Sequence, residues 1–500
     1  MSRPASSTRP PARPASRPDA AVPALDVSWT VAAAVYLVIV TVYFLPALLP
    51  GRQIFGTDYL VGAYPSYNFI VERLSDGELP KWIPYLFGGL PNSASPGSTY
   101  HPVVLIGSQF LATERVFALM FLAHFWLGCI GMYALSRELG CRSWVAFISG
   151  LAFGFTGLVA SWVYAGHDGR VIAASMIPAV FFFLRRGVRT QAVAPFLGAA
   201  ASIGLALLSF QIQIVYYLLL GAAVWGVFCV VRYAGSRPAL ATAKTIALGL
   251  VSVALAFALA AVIIVPFAGY VPASPRGEAG GRGYEYSTSY SMPASEVIAM
   301  AVPEQAGASV ADPTTGAPLL PSYDRPGGFK LHTEYVGAWV VLMLAIGAAV
   351  ARRNRDWQFM AGLSLFALSL ALGGNTPLYR VYYAVLPGLD KFRAPSLAFC
   401  LVAFAVVVMA ALALEHLAAQ AAPAARPRLP ARGQAAHGPV GRGVLVPVAA
   451  VVGLALVGAI AASAGQAPGE TPSRAAGWMR FALFAAATGA VIVFWLRGAL

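Results

Sequence analysis

A chain of 500 residues that is 58% hydrophobic and only 11% charged has too few charges to cover a water-soluble 52.4 kDa protein, since soluble domains carry about 25% charged residues. Its net charge of +14 does not point to nucleic acid, because the basic residues are scattered between apolar runs, as in the cytoplasmic loops of a membrane protein. The four cysteines, Cys129, Cys141, Cys229 and Cys400, sit in apolar runs or, for Cys141, in a short basic loop, so neither a disulfide nor a cysteine-rich metal site is expected.

Pro, Arg, Ser and Ala fill residues 1–27. That composition buries no core and predicts a disordered basic cytoplasmic tail. The apolar stretch behind it is too long for a signal peptide and reads as an uncleaved first helix. A spanning helix needs about 20 mostly apolar residues. Twelve runs are candidates: 28–50, 115–136, 143–163, 171–186, 191–209, 212–231, 245–270, 334–350, 357–373, 396–418, 443–463 and 477–497, the fourth, eighth and ninth being short. With the N-terminus inside and strict alternation, the inside segments hold 20 basic and 5 acidic residues, net +15, and the remainder holds 14 and 15, net −1. This asymmetry supports both the count and the orientation. The expected fold is therefore an all-α polytopic membrane protein of about 12 transmembrane helices with both termini cytoplasmic.

Two outside loops are long, 51–114 and 271–333, the first and fourth in order. They are expected to form a partly helical cap, because long ordered loops carry function. Within the first, residues 65–77 have helical apolar spacing suited to an interfacial helix. Residues 75–102 are dense in Pro, Gly and aromatics (Trp82, Tyr85, Phe87, Tyr100) that need burial. The transmembrane core spans 28–418, followed by a flexible basic linker, 419–442, and a C-terminal transmembrane hairpin, 443–500.

Five groups of residues could carry chemistry. Asp58 lies just beyond the first helix and could act as a general base, bind a cation, or simply end a helix. His167, Asp168 and Arg170 crowd a short outside loop, YAGHDGR, whose plain reading is an interfacial turn with a local ion pair. Lys391 and Arg393 are cations on the side that the charge rule disfavours. They suggest an anionic ligand, arginine being suited to phosphate, or else lipid-headgroup contact. His332 and Glu334 lie where the second long loop returns to the membrane, although an acid near a helix start is favourable on its own. Gln211 and Gln213 read as helix-to-helix hydrogen bonding, and Gly150 and Gly154 as packing.

The ordered combination GTDYL, then ERLSDGELPKWIPYLFGGLPNSASPGSTYHP, then Gly166-His167, then Phe392-Arg393-Ala394-Pro395 resembles the YfhO family of bacterial multi-pass membrane proteins, which belongs with the GT-C glycosyltransferases. The likeness covers about residues 28–418, with His101-Pro102 after Tyr100 where Tyr-Pro is more usual. It implies inverting transfer of a sugar from a polyprenyl-phosphate-linked donor at the outer face of the cytoplasmic membrane. Asp58 would be the catalytic acid-base residue, and Arg393, with Lys391 and Arg170 as further candidates, would neutralise the leaving phosphate. His167, Asp168, His332, Glu334, Tyr100 and His101 would line the substrate site. No cofactor is certain; a divalent cation is possible but not indicated. The expected partners are the lipid-linked donor, membrane lipid and an acceptor glycan, lipid or protein, and no nucleic acid. The rivals are a lipid or polysaccharide transporter and a non-catalytic envelope assembly factor. Ionisable residues gathered at the outer ends of helices, rather than at the midplane, favour surface chemistry.

Overall fold

In a bilayer an apolar run can satisfy its backbone only within itself, so each such run closes as a helix. The computed structural model describes residues 26–54, 56, 58–86, 88–274, 277, 282–312, 314–323, 328–421, 439–465 and 473–496. The expected tail up to residue 25 and the linker from 422 to 438 lie outside the described residues, as does Phe87. In chain order come α1 (Trp29–Leu48), α2 (Tyr64–Ser75), α3 (Pro102–Gly107), α4 (Thr113–Glu138), α5 (Ser143–Gly154), α6 (Gly157–Ala165), α7 (Asp168–Ser175), α8 (Ile177–Thr190), α9 (Val193–Leu207) and α10 (Ile212–Ala234). They are followed by α11 (Ala239–Leu259), α12 (Ala261–Tyr270), α13 (Gly283–Ser287), α14 (Pro303–Ala306), α15 (Ala338–Val350), α16 (Arg355–Ala371), α17 (Leu378–Val385), α18 (Phe399–Ala421), α19 (Pro439–Ala464) and α20 (Arg474–Leu496).

The chain is an all-α polytopic membrane protein. Among the described residues nine helical stretches are long and apolar enough to cross a membrane. Every one of the twelve expected runs contains helix, but α9, α15 and α16 have only 15, 13 and 17 residues. Several boundaries differ from expectation, the seventh run for one beginning six residues early, at Ala239. The fourth run begins at Asp168 and continues to Thr190, because an acid in the first turn suits the positive end of the helix dipole. The eighth begins four residues late, at Ala338, because Gly337 takes φ +107°, a conformation outside any helix.

A helix that is apolar all round belongs in the middle of a bundle. That place is held by α18, an 18-residue stretch of which is wholly buried against α5, α15 and α16. At one end of the bundle Arg185 of α8 meets Asp356 of α16 at 2.7 Å, with Arg232 of α10 at 3.6 Å and the Trp225 ring 5.7 Å below the guanidinium. Both members of the closest pair are buried, so removing Asp356 would strand the Arg185 charge, whereas Arg232 stays within reach of Asp356 if Arg185 is removed.

The first long loop caps the opposite end. The apolar stripe of α2, Tyr67, Ile70, Val71 and Leu74, is buried, and Tyr67 stands edge-on to Phe117 of α4 at 5.4 Å. The helix expected at the membrane interface therefore turns its apolar face to protein. The next segment is a tight hairpin, β1 (Trp82–Ile83) paired antiparallel with β2 (Leu90–Pro91). Trp82 and Tyr85 are exposed, not buried as expected. The hairpin places the Trp82 ring over Gly89, where any side chain would collide with it, and Tyr85 packs only its edge against Phe69, at 5.7 Å.

Candidate functional site

Two glycines allow the first loop to lie directly on the α6–α7 turn. A side chain at Gly56 would overlap the Tyr164 carbonyl, and one at Gly166 would overlap Tyr59. Gly166 also holds φ +78°, the left-handed region that only glycine adopts without strain. Asp58 precedes five π-helical residues, Tyr59–Ala63, a wide turn of the kind found at functional positions. Tyr59 anchors this turn by stacking on Phe117 at 4.1 Å.

The contact that results joins Asp58 to His167, with Oδ2 and Nε2 2.8 Å apart. The Asp58 side chain is 52% exposed and that of His167 18%. Burial first, and then the Arg170 charge, hold His167 down at about 4, against the opposing pull of Asp58. The imidazole is thus neutral at pH 7. Its Nδ1 has no hydrogen-bond partner, which assigns the single proton to Nε2, donated to the carboxylate.

That assignment predicts a pH dependence. A histidine that titrates at about 4 folded and near 6.5 unfolded leaves the unfolded chain to take up the proton first as the pH falls. Stability should therefore drop by about 3 kcal/mol between pH 6.5 and 4 from this residue alone. His167→Gln cannot take up that proton and should show a correspondingly shallower slope. Unfolding of both proteins across the range is the measurement, and parallel slopes would count against the assignment.

Asp168 faces the cap rather than open space. Its Oδ2 accepts from Tyr67 Oη at 2.5 Å and Ser98 Oγ at 2.7 Å, so it pegs α2 and the 92–101 segment to the start of α7. Arg170 sits two residues further on, partly buried. Its guanidinium makes no hydrogen bond or ion pair among the described residues, yet its charge reaches Asp58, His167 and His332.

The chain from 328 to 337 is extended along α6. Leu158 N donates to Tyr335 O, and Thr333 N to Ser161 Oγ, both at 3.1 Å. This brings His332 beside Arg170. Burial, with Lys330, Arg170 and His167 adding to it, pushes His332 well below its ordinary value. Behind it lies a buried cluster in which Lys330 Nζ donates to Glu296 Oε2 and Glu334 Oε2, each at 2.6 Å. His332 Nε2 stands 3.5 Å from Glu334 Oε1. Burial raises the Glu334 carboxyl, with Lys330 opposing. Sequence reasoning singled out His332 and Glu334 but passed over Lys330, although a cation on the disfavoured side was the same signal that marked Lys391 and Arg393. Glu296, 34 residues away, carried no signal at all.

Lys391 and Arg393 approach from a neighbouring loop. Phe210 takes φ +57°, uncommon for a bulky residue, and turns the chain into α10. Gln211 lies against Gly169, and Gln213 Nε2 donates to Ala394 O at 2.7 Å, a bond to a loop carbonyl rather than to the neighbouring helix expected of it. The start of α10 thus joins the two loops. Arg393 itself is exposed and stacks over Tyr290 at 5.2 Å, and Lys391 lies 3.2 Å from Asp390. Among the described residues no hydrogen bond or ion pair links either cation to Asp58 or His167.

His101 is buried. Its Nδ1 accepts from Val103 N at 3.3 Å, capping α3, and burial pulls it to about 3. Tyr100 beside it is partly buried. The His101 ring stands edge-on to His124 at 4.9 Å. His124, midway along α4 with Nδ1 2.7 Å from Met120 O, also went unremarked in the sequence, although an ionisable residue inside a spanning helix is unusual. No protein-family model matches the chain, and no curated protein matches it.

Proposed function

We propose that this chain is a GT-C type membrane glycosyltransferase that moves a sugar from a polyprenyl-phosphate donor to an acceptor hydroxyl. In this reading all twelve helical runs span, both termini are cytoplasmic, and the Asp58 end of the bundle is the outer face. The observation that carries the reading is Arg170, a partly buried guanidinium with no hydrogen-bond or ion-pair partner among the described residues. It stands beside a half-exposed carboxylate whose second oxygen is held by His167. A desolvated cation of this kind favours an anion, and its planar fork matches a phosphate.

The step balances with these groups. The free oxygen of Asp58 takes the acceptor hydroxyl proton as the acceptor oxygen bonds to the anomeric carbon. The bond from that carbon to the phosphate oxygen breaks with its electron pair on the phosphate, whose charge Arg170 neutralises. His167 is a positioning residue that fixes the carboxylate. Arg170 takes the part that the sequence suggested for Arg393.

The test is transfer from polyprenyl-phosphate hexoses by the purified chain in lipid. Wild type should transfer, and Arg170→Gln should lower kcat by about 10²–10³-fold. A second reading, a transporter, is favoured by His124 within α4. It takes over if wild type transfers nothing from any such donor.

A further inference from the structure

The helix α17 is too exposed on one face to be explained by packing. Its residues Leu378, Val381 and Val385 are 49%, 57% and 67% exposed. Their spacing of three and then four residues places them on one stripe. The opposite face is occupied, with Tyr379 fully buried and Tyr382 packed on α16.

The depth of α17 follows from those contacts. Tyr382 Oη lies 2.8 Å from Ser369 Oγ, and its ring stands 5.6 Å from that of Phe366. Both partners are in the last turn and a half of α16, so α17 runs back alongside that helix rather than above it. With 17 residues, α16 is about 25 Å long, short of a hydrocarbon core of about 30 Å. The stripe would therefore fall at the level of the leaflet, and Leu365 on α16 is likewise 67% exposed.

Three arginines stand on the same part of the fold. Arg380 stacks over Tyr284 at 5.5 Å, Arg282 over Tyr286 at 4.8 Å and Arg393 over Tyr290 at 5.2 Å. Ser287 Oγ donates to the carbonyls of Leu389 and Phe392, which fixes α13 against the loop that bears Arg393. None of the three arginines makes an ion pair among the described residues. Each is stacked on a ring, and among the described residues its N–H fork makes no side-chain hydrogen bond; tyrosine is a residue of membrane interfaces. The acids near them are Glu285 and Asp390, the latter beside Lys391.

We propose that α17 and these three stacked arginines form a docking face for anionic phospholipid in the leaflet at the Asp58 end of the bundle. The apolar stripe enters the glycerol and upper acyl region, and the guanidinium groups take the lipid phosphates. This face does not depend on the glycosyltransferase reading.

The experiment uses the full chain in nanodiscs. All four native cysteines are buried, so a fluorophore on Val381→Cys reports on the stripe alone. Lipids brominated high on the acyl chain should quench it. In parallel, retention of phosphatidylglycerol over phosphatidylcholine is measured by mass spectrometry for wild type and for Arg282→Gln, Arg380→Gln and Arg393→Gln, singly and together. The preference should fall about fivefold for each arginine replaced. An unquenched probe, meaning that water or another protein covers the stripe, overturns the proposal. So does a triple variant that keeps the wild-type lipid preference.

Discussion

Asp58→Asn should lower sugar transfer by about 10²–10⁴-fold while the chain folds as wild type, the contribution typical of a positioned base. The substitution is matched in shape. His167 Nε2, now 2.8 Å from Asp58 Oδ2, can donate equally to the amide oxygen, so the contact between the two loops survives. What is lost is the oxygen able to accept the acceptor's proton. Because the Asp58 side chain is 52% exposed, the amide meets no desolvation penalty that would unfold the site. Transfer rate and unfolding measured on the same preparation separate the two effects. A wild-type rate would remove Asp58 from the chemistry and leave His167 as the nearest candidate.

The second large effect is on stability. Lys330→Met should cost about 3–5 kcal/mol, the range for breaking a buried pair from one side. Lys330, Glu296 and Glu334 are each at most 5% exposed, and the ammonium is 2.6 Å from both carboxylates. Methionine fills most of the volume but leaves two buried acids facing one another, so at least one must hold its proton. Adding Glu296→Gln and Glu334→Gln to Lys330→Met removes the stranded charge and should recover most of the loss. Chemical denaturation of the single and triple variants in one detergent decides it. If Lys330→Met unfolds with wild type, the cluster contributes nothing to stability.

The helical frame was legible because its signal is local. A run of apolar residues meets its own hydrogen bonds wherever it lies, so each of the twelve runs from 28–50 to 477–497 contains helix. The meeting of GTDYL with YAGHDGR was legible only as two suspicious loops. The contact depends on Gly56 and Gly166 lying against Tyr164 and Tyr59, and glycines of that kind look like any other glycine in a list. Asp168 and His101 had the chemistry of a site but not its position. The Oδ2 of Asp168 is taken by Tyr67 and Ser98, and the Nδ1 of His101 by the amide of Val103, while its buried Nε2 has no hydrogen-bond partner among the described residues. Composition cannot show whether a polar group is already satisfied. Trp82 and Tyr85 failed the expectation of burial for a related reason, since a hairpin dictates which way each side chain points before hydrophobicity is consulted.

The pairing of Asp58 with His167 spans 109 residues, which gives the site a birth order. At about 5–20 residues per second, the carboxylate is made about 5–20 s before its histidine. The Asp168 peg for Tyr67 and Ser98 is equally late, and Lys330 and Glu334 come later still. Until α7 is inserted, the nascent cap has its tyrosine and serine hydroxyls unanswered, although α4 is already there to cover its apolar stripe. Early stalling or truncation would therefore present membrane proteases with an unlatched loop.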